Sequence, residues 1–175
     1  DQFFVVLDWI KEDYATRGET GRPSVALMHN ASPFGLSPWQ QGGEAYAAGL
    51  RKTAARLRRI RVRFPGHVGG ARKRAIFRLA DLYVSPARHE SYGLTIVEAL
   101  RQGVPVVSSV SSGSRHLVQP AYGKEVDLQG RDGEKRLLEI LQEMLSDRGT
   151  LASMGAAARR AGRKMDFSTG ATALR

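Results

Sequence analysis

Glu90 and Glu98 flank a glycine in the run Arg88-His89-Glu90-Ser91-Tyr92-Gly93-Leu94-Thr95-Ile96-Val97-Glu98-Ala99-Leu100, with seven residues between them. The preceding stretch, Ala80-Asp81-Leu82-Tyr83-Val84-Ser85-Pro86, reads as a short buried strand that Pro86 stops. A strand, a tight loop turned by Gly93 and a helix N-terminus would bring free backbone N–H groups and the positive end of a helix dipole to one point, an arrangement that holds an anion. A carboxylate at the mouth of such a site would repel a phosphate, so Glu90 must serve hydroxyls or a developing positive charge. Glu98, two turns on, can reach other hydroxyls. An anion flanked by two polyols is the chemistry of a sugar nucleotide.

The elements that must position these residues follow from periodicity. Phe3, Val6, Leu7, Ile10 and Tyr14 repeat at helical spacing, which predicts a helix over 2–15 capped by Asp1, with an edge strand over Phe3–Leu7 as the alternative. A turn over Gly18–Pro23 leads to a buried strand over Ser24–His29, and Asn30–Gly43, with Pro33 and Pro38, reads as an exposed insertion. Tyr46–Arg59 is helical by propensity, Ile60–Phe64 a strand, and Ala71–Leu79 a basic helix with Ile76, Phe77 and Leu79 inward. Gly103 marks the end of the helix carrying Glu98, and Pro105 opens the next strand. Glu134–Leu145 is amphipathic, with Leu137, Leu138, Leu141 and Leu145 on one face. This alternation predicts an α/β fold, a Rossmann-like parallel sheet with helices on both faces, as a single domain over residues 1–175.

Composition narrows the classes. At 175 residues and 42% hydrophobic content the chain fits one domain with a full core. Without cysteine it has no disulfide frame and no thiolate metal site, which suits a reducing, cytoplasmic setting. No apolar run reaches the ~20 residues of a membrane-spanning helix. The formal net charge is +10, and no Asp or Glu falls between Glu44 and Asp81. Arg51, Lys52, Arg56, Arg72, Lys73, Arg74 and Arg78 in this stretch read as two solvated basic helices. Peripheral docking on an anionic membrane is the second reading. Nucleic acid is disfavoured, because the stretch lacks interleaved aromatics. His29, His67, His89 and His116 show no metal-ligand spacing; His89 adjoins Glu90 and could tune it. Trp9 and Trp39 read as packing residues.

Glu90 and Glu98, set in Glu-Ser-Tyr-Gly-Leu and Val-Glu-Ala-Leu, resemble the E-x7-E motif of retaining GT-B glycosyltransferases of the group 1 (family 4) type. Arg63-Phe64-Pro65-Gly66-His67-Val68, Gly103-Val104-Pro105-Val106-Val107-Ser108-Ser109 and Met154-Gly155-Ala156-Ala157-Ala158-Arg159 are similar to further family segments, and Phe167-Ser168 to the start of its closing helix. The resemblance covers the C-terminal, donor-binding half of a GT-B fold. It implies a hexosyltransferase that uses a nucleoside-diphosphate sugar, without a bound cofactor or protein-held metal. Glu90 would orient the donor sugar as the catalytic carboxylate. The backbone of Ser91, Tyr92, Gly93, Leu94 and Thr95 would face sugar and diphosphate, Glu98 would bind the ribose, and His67 and Val68 would lie near the base. A saccharide or lipid-linked acceptor would bind the missing N-terminal domain, so the fragment alone would be inactive. The family's Gly-Gly-x-x-Glu is replaced by Ser112-Gly113-Ser114-Arg115-His116, which leaves contacts from that acidic position unassigned. Met28-His29-Asn30-Ala31-Ser32-Pro33-Phe34-Gly35 replaces a shorter glycine-rich turn. Two other readings stay open: a GT-B sugar-nucleotide epimerase or phosphorylase-like enzyme, and a non-catalytic basic module for nucleic acid or anionic membrane.

Overall fold

A computed structural model of the chain describes residues 2–9, 24–30, 43–56, 60–87, 92–111 and 114–165. Strands β1 (Gln2–Trp9), β2 (Ser24–Asn30), β3 (Ile60–His67), β4 (Leu82–Ser85), β5 (Val106–Ser109) and β6 (Gly123–Val126) form one sheet in the order β3-β1-β2-β4-β5-β6. Helices α1 (Gly43–Ala55), α2 (Gly70–Leu79), α3 (Leu94–Gln102), α4 (Gly133–Ser146) and α5 (Arg148–Lys164) complete the described elements. β2, β4, β5 and β6 pair in parallel, each with a helical crossover or loop between, as expected for an α/β sheet.

The core lies on both sheet faces because successive strand residues point to opposite sides. Tyr83 and Val106 join Phe77, Ile96, Val97 and Leu100 on the face covered by α2 and α3. Leu82, Val84, Val107 and Val126 join Ile140, Met144, Leu151 and Met154 on the other, under α4 and the start of α5. The Phe77 and Tyr83 rings meet edge to face at 5.4 Å, which ties α2 to the central strand. α5 contributes Leu151 and Met154 to one face but Ala158 to the other, so it crosses the end of the sheet.

Three expectations are corrected. Residues 2–9 are a strand, β1, and not a helix; it lies inside the sheet and runs antiparallel to both β2 and β3, so the sheet is mixed. Gln2-Phe3-Phe4-Val5-Val6-Leu7 is apolar at almost every position, so helical spacing is matched without a polar face to confirm it. An unbroken aromatic and β-branched run suits a strand paired on both sides. Two β1 steps, Phe4 to Val6, face three on β3, Gly66 to Arg63, and this bulge falls where Pro65 has no N–H to give to the ladder. Second, Leu79 is 77% exposed while Phe77 is buried, because two residues along a helix is about 200° around it. Third, Leu138 is exposed; Ile140 and Met144 take the buried stripe of α4, with Leu137, Leu141 and Leu145 packed beside them. Asp1, residues 10–15, Gly18–Pro23, the body of the predicted insertion, Trp39 and Phe167-Ser168 lie outside the described residues.

α5 begins with a built cap. Asp147 accepts the Thr150 N–H at 3.0 Å and the Thr150 hydroxyl at 2.6 Å. The Thr150 hydroxyl, followed by its N–H, holds the Asp147 carboxyl below the usual carboxylate range. A lowered folded value means the cap stabilises above the unfolded carboxylate pKa and is lost as pH falls through the folded one. Asp147→Ala is therefore expected to lower the thermal midpoint at neutral pH, with the gap to wild type closing as the medium is acidified. A constant gap in a pH series of melts would refute it.

Candidate functional site

α3 starts where β4 ends, at the C-terminal edge of the parallel strands, the edge at which open α/β sheets bind ligands. Pro86 follows β4 and ends its ladder. The Ser109 hydroxyl at the end of β5 donates to the Ala87 carbonyl, so the strand end and the start of the βα loop are fastened together. Glu90, Ser91 and His89 lie outside the described residues. Gly93 sits at φ 61°, ψ 32°, a left-handed conformation that glycine adopts without strain, and turns the chain into α3.

The start of α3 has no side-chain cap and no acidic residue in its first turn. Its first N–H groups lack intrahelical partners by construction, and Val97 N–H is the first to bond back, to the Gly93 carbonyl at 3.1 Å. Positive helix-end potential therefore stands unneutralised by α3 itself. Tyr92 and Leu94 are exposed on either side, whereas Thr95 is buried and its hydroxyl has no hydrogen-bond partner among the described residues.

Glu98 does not point out into solvent as a free surface charge. Its Oε1 lies 2.6 Å from Nζ of Lys73 in α2, with 38% of the Glu98 side chain and 19% of the Lys73 side chain exposed. Its Oε2 is buried and has no hydrogen-bond partner among the described residues. Thr95 and Glu98 are three apart on α3 and share a face. Two polar groups of one helix face are thus left short of partners, a condition folded proteins rarely leave unexplained.

Lys73 is the residue that sequence reading missed. Composition places it among the solvated cations, yet it shares the stripe of Ile76 and Phe77 at i, i+3 and i+4, which α2 turns toward the core. A lone cation on an inward-facing stripe was the available signal. Val68 follows β3 with its side chain buried in the core, which leaves only its backbone to face a ligand; His67 ends β3, in register with Phe3. Gly69 and Gly70 then lead into α2 and Lys73. The structure therefore brings Gly93, Thr95, Glu98 and Lys73 together at the α2–α3 side.

Where the Gly-Gly-x-x-Glu segment is replaced, Ser111 and Ser114 are joined by hydrogen bonds. Ser114 donates to the Ser109 carbonyl at 2.9 Å, contacts the Ser111 hydroxyl at 2.8 Å and lies 3.4 Å from Glu125 of β6. His116 is exposed and does not join the site. Among the described residues no group of three or more His, Cys, Asp or Glu is arranged to hold a metal, and no helix is long and apolar enough to cross a membrane.

Parallel strands sandwiched by helices, with an uncapped helix start at the C-terminal end of a central strand, define a Rossmann-like α/β domain. Residues 42–161 match the family of glycosyl transferases group 1, and the chain belongs to that family as its C-terminal domain. It is 35% identical over 133 residues to a D-inositol 3-phosphate glycosyltransferase of Streptomyces avermitilis, covering 75% of this chain and 28% of that protein. Over 68 residues it is 37% identical to a GDP-mannose-dependent alpha-mannosyltransferase of Mycolicibacterium smegmatis, covering 38% of this chain and 18% of the relative. Among solved structures, Anabaena HepE, crystallised with UDP and glucose, matches with a TM-score of 0.62 and 24% identity over 77% of this chain and 36% of that one. Sucrose-phosphate synthase from Thermosynechococcus elongatus gives 0.61 and 20% identity over 86% of this chain and 36% of that one. At these identities the structural likeness is one of fold. The chain spans less than a third of the length of the curated relatives named here.

Proposed function

We propose that the chain is the donor-binding half of a retaining hexosyltransferase that takes a nucleoside-diphosphate sugar. One observation carries this reading: α3 combines an uncapped N-terminus behind left-handed Gly93 with a carboxylate, one turn further on, whose buried oxygen has no donor among the described residues. The first feature suits a diphosphate and the second suits ribose hydroxyls. The names of the group 1 relatives, a mannosyltransferase that depends on GDP-mannose among them, support the same donor class.

In this reading the N–H groups of Gly93, Leu94 and Thr95, with Ser91 and Tyr92 before them, surround the diphosphate and the sugar. Glu98 accepts from the ribose, and His67 with the Val68 backbone lies beside the base. Glu90 orients the sugar hydroxyls. The anomeric C–O bond breaks, negative charge gathers on the departing diphosphate, and the α3 dipole stabilises it in the manner of an oxyanion hole. The acceptor hydroxyl attacks the oxocarbenium-like carbon from the same face and gives its proton to the departing phosphate oxygen. A saccharide or lipid-linked acceptor, held by a partner domain at the cytoplasmic side of a membrane, completes the reaction.

Lys73 fixes the Glu98 carboxylate by its 2.6 Å ion pair, so it positions the ribose contact. Lys73→Met, which keeps the apolar stem, is expected to weaken nucleotide binding about tenfold, the loss of roughly one hydrogen bond to a charged group, and Lys73→Arg to recover part of it. Calorimetric titration of both variants checks this; wild-type affinity in Lys73→Met would remove Lys73 from the site. The function itself is tested by a thermal-shift panel of UDP-, GDP- and ADP-sugars. One donor is expected to raise the midpoint, by about 2.7 kcal/mol of stability at a hundred times its Kd. A flat panel, combined with steeply salt-dependent binding to DNA or anionic vesicles, would favour the basic-module reading instead.

A further inference from the structure

A cavity of about 540 Å³ opens at the end of the sheet opposite α3's N-terminus. Ala80 and Asp81 precede β4, and Gly103 and Pro105 precede β5, so the floor lies at the N-terminal ends of these strands. The four-residue length of β4 separates it from the nucleotide edge by roughly 13 Å. The roof is α5, which crosses the sheet end here. Arg148, Ala152, Gly155, Ala156, Arg159 and Arg163 recur at helical spacing along the face that looks into the cavity.

Two kinds of lining set its chemistry. Small and apolar residues, Ala80, Pro105, Leu151, Ala152 and Ala156, form part of the lining; at its edge α5 packs closely on the loop before β5, since a Cβ on Gly155 would stand 2.9 Å from the Gly103 carbonyl. Four arginines, Arg148, Arg159, Arg160 and Arg163, line it as well, against a single acidic residue, Asp81. Asp81 lies 4.0 Å from Arg148, and Arg159 is oriented by donating from Nη2 to the Gln102 carbonyl at 2.9 Å. Arg160 and Arg163 make no hydrogen bond or ion pair with another described residue. The volume falls in the range of small-ligand pockets. Guanidinium forks match the oxygens of phosphate bidentately, and several of them together favour an anion that carries more than one negative charge.

We propose that this arginine-lined cavity is a second ligand site, distinct from the nucleotide edge, for a small phosphate-bearing molecule with at least two negative charges. The apolar floor takes its carbon part, and Arg159, Arg160 and Arg163 take the phosphate.

Amide chemical-shift mapping of the chain with inorganic pyrophosphate and with glycerol 3-phosphate tests it. Shifts are expected at Gly103, Ala152, Gly155 and Ala156. The double substitution of Arg160→Ala and Arg163→Ala is expected to erase them and weaken binding at least tenfold. Both arginines are exposed and alanine favours the helix, so the variant should keep its fold, checked by an unchanged thermal midpoint. Sedimentation with phosphatidic acid vesicles separates the sources: binding that the double variant loses would identify a lipid headgroup, and shifts with glycerol 3-phosphate but no sedimentation a soluble ligand. Three results would overturn the proposal: wild-type affinity in the double variant, shifts confined to Gly93–Ile96, or equal shifts with sodium chloride at matched ionic strength.

Discussion

Glu98→Ala is expected to weaken the binding of a nucleoside-diphosphate sugar by about 10- to 100-fold, the range set by losing a hydrogen bond of ~1.5–3 kcal/mol to a charged group. The carboxylate is already held by Lys73 through Oε1 at 2.6 Å, while Oε2 has no donor among the described residues, so its capacity for hydrogen bonds is underused in the free molecule. A ribose diol would fill that capacity. The loss should vanish when donors lacking the ribose 2′- and 3′-hydroxyls are compared, since wild type and variant then bind with the same groups. A double cycle of enzyme variant and deoxy donor, measured by calorimetry, isolates this coupling. A penalty that persists with the deoxy donor would mean that Glu98 acts through fold or charge and not through the ribose.

Gly162→Ala is expected to destabilise the protein by about 3 kcal/mol, the upper part of the range for overpacking a close contact. A Cβ at Gly162 would stand 2.4 Å from the Arg101 nitrogen and 2.5 Å from the Leu100 carbonyl carbon. These are backbone atoms of α3 and cannot swing aside. The same crossing is fastened by Arg101, which donates from Nε to the Gly162 carbonyl at 3.3 Å and from Nη2 to the Met165 carbonyl at 2.5 Å. Pushing α5 away would also tilt α3, so nucleotide affinity should fall in the surviving folded fraction. Gly49→Ala in α1 is the contrast. Nothing lies within 4 Å of its added Cβ, and helix propensity predicts a gain of up to about 1 kcal/mol. Urea unfolding at constant slope reads both changes; equal effects at the two glycines would refute the close α3–α5 crossing.

The legible parts of the chain were those in which local chemistry and tertiary role agree. Leu82, Tyr83 and Val84 ended by Pro86 announced β4, and all four β4 residues are buried. Gly103, at φ 80°, closes α3 by donating its N–H to the carbonyls of Ala99 and Leu100, as a glycine after a helical stripe promises. Gly93 turned the chain into α3 at the place its spacing indicated. Where a run is apolar throughout, periodicity loses its meaning, and for that reason both a helix and a strand fit the residues of β1. Long-range partners left only faint traces. Lys73 meets Glu98 because α2 and α3 pack side by side, and the arginines of α5 converge only because that helix crosses the sheet end. The serine pair of Ser111 and Ser114 likewise needs β5 and β6 side by side before Glu125 comes within reach.

The central claim is that the start of α3 receives the diphosphate of a sugar nucleotide. Amide chemical-shift mapping with UDP and GDP addresses it most directly. The largest shifts are predicted at Gly93, Leu94, Thr95 and Ile96, with a second set at Glu98 and Val68. Binding that leaves those amides unmoved, or moves only the α5 face, would contradict it.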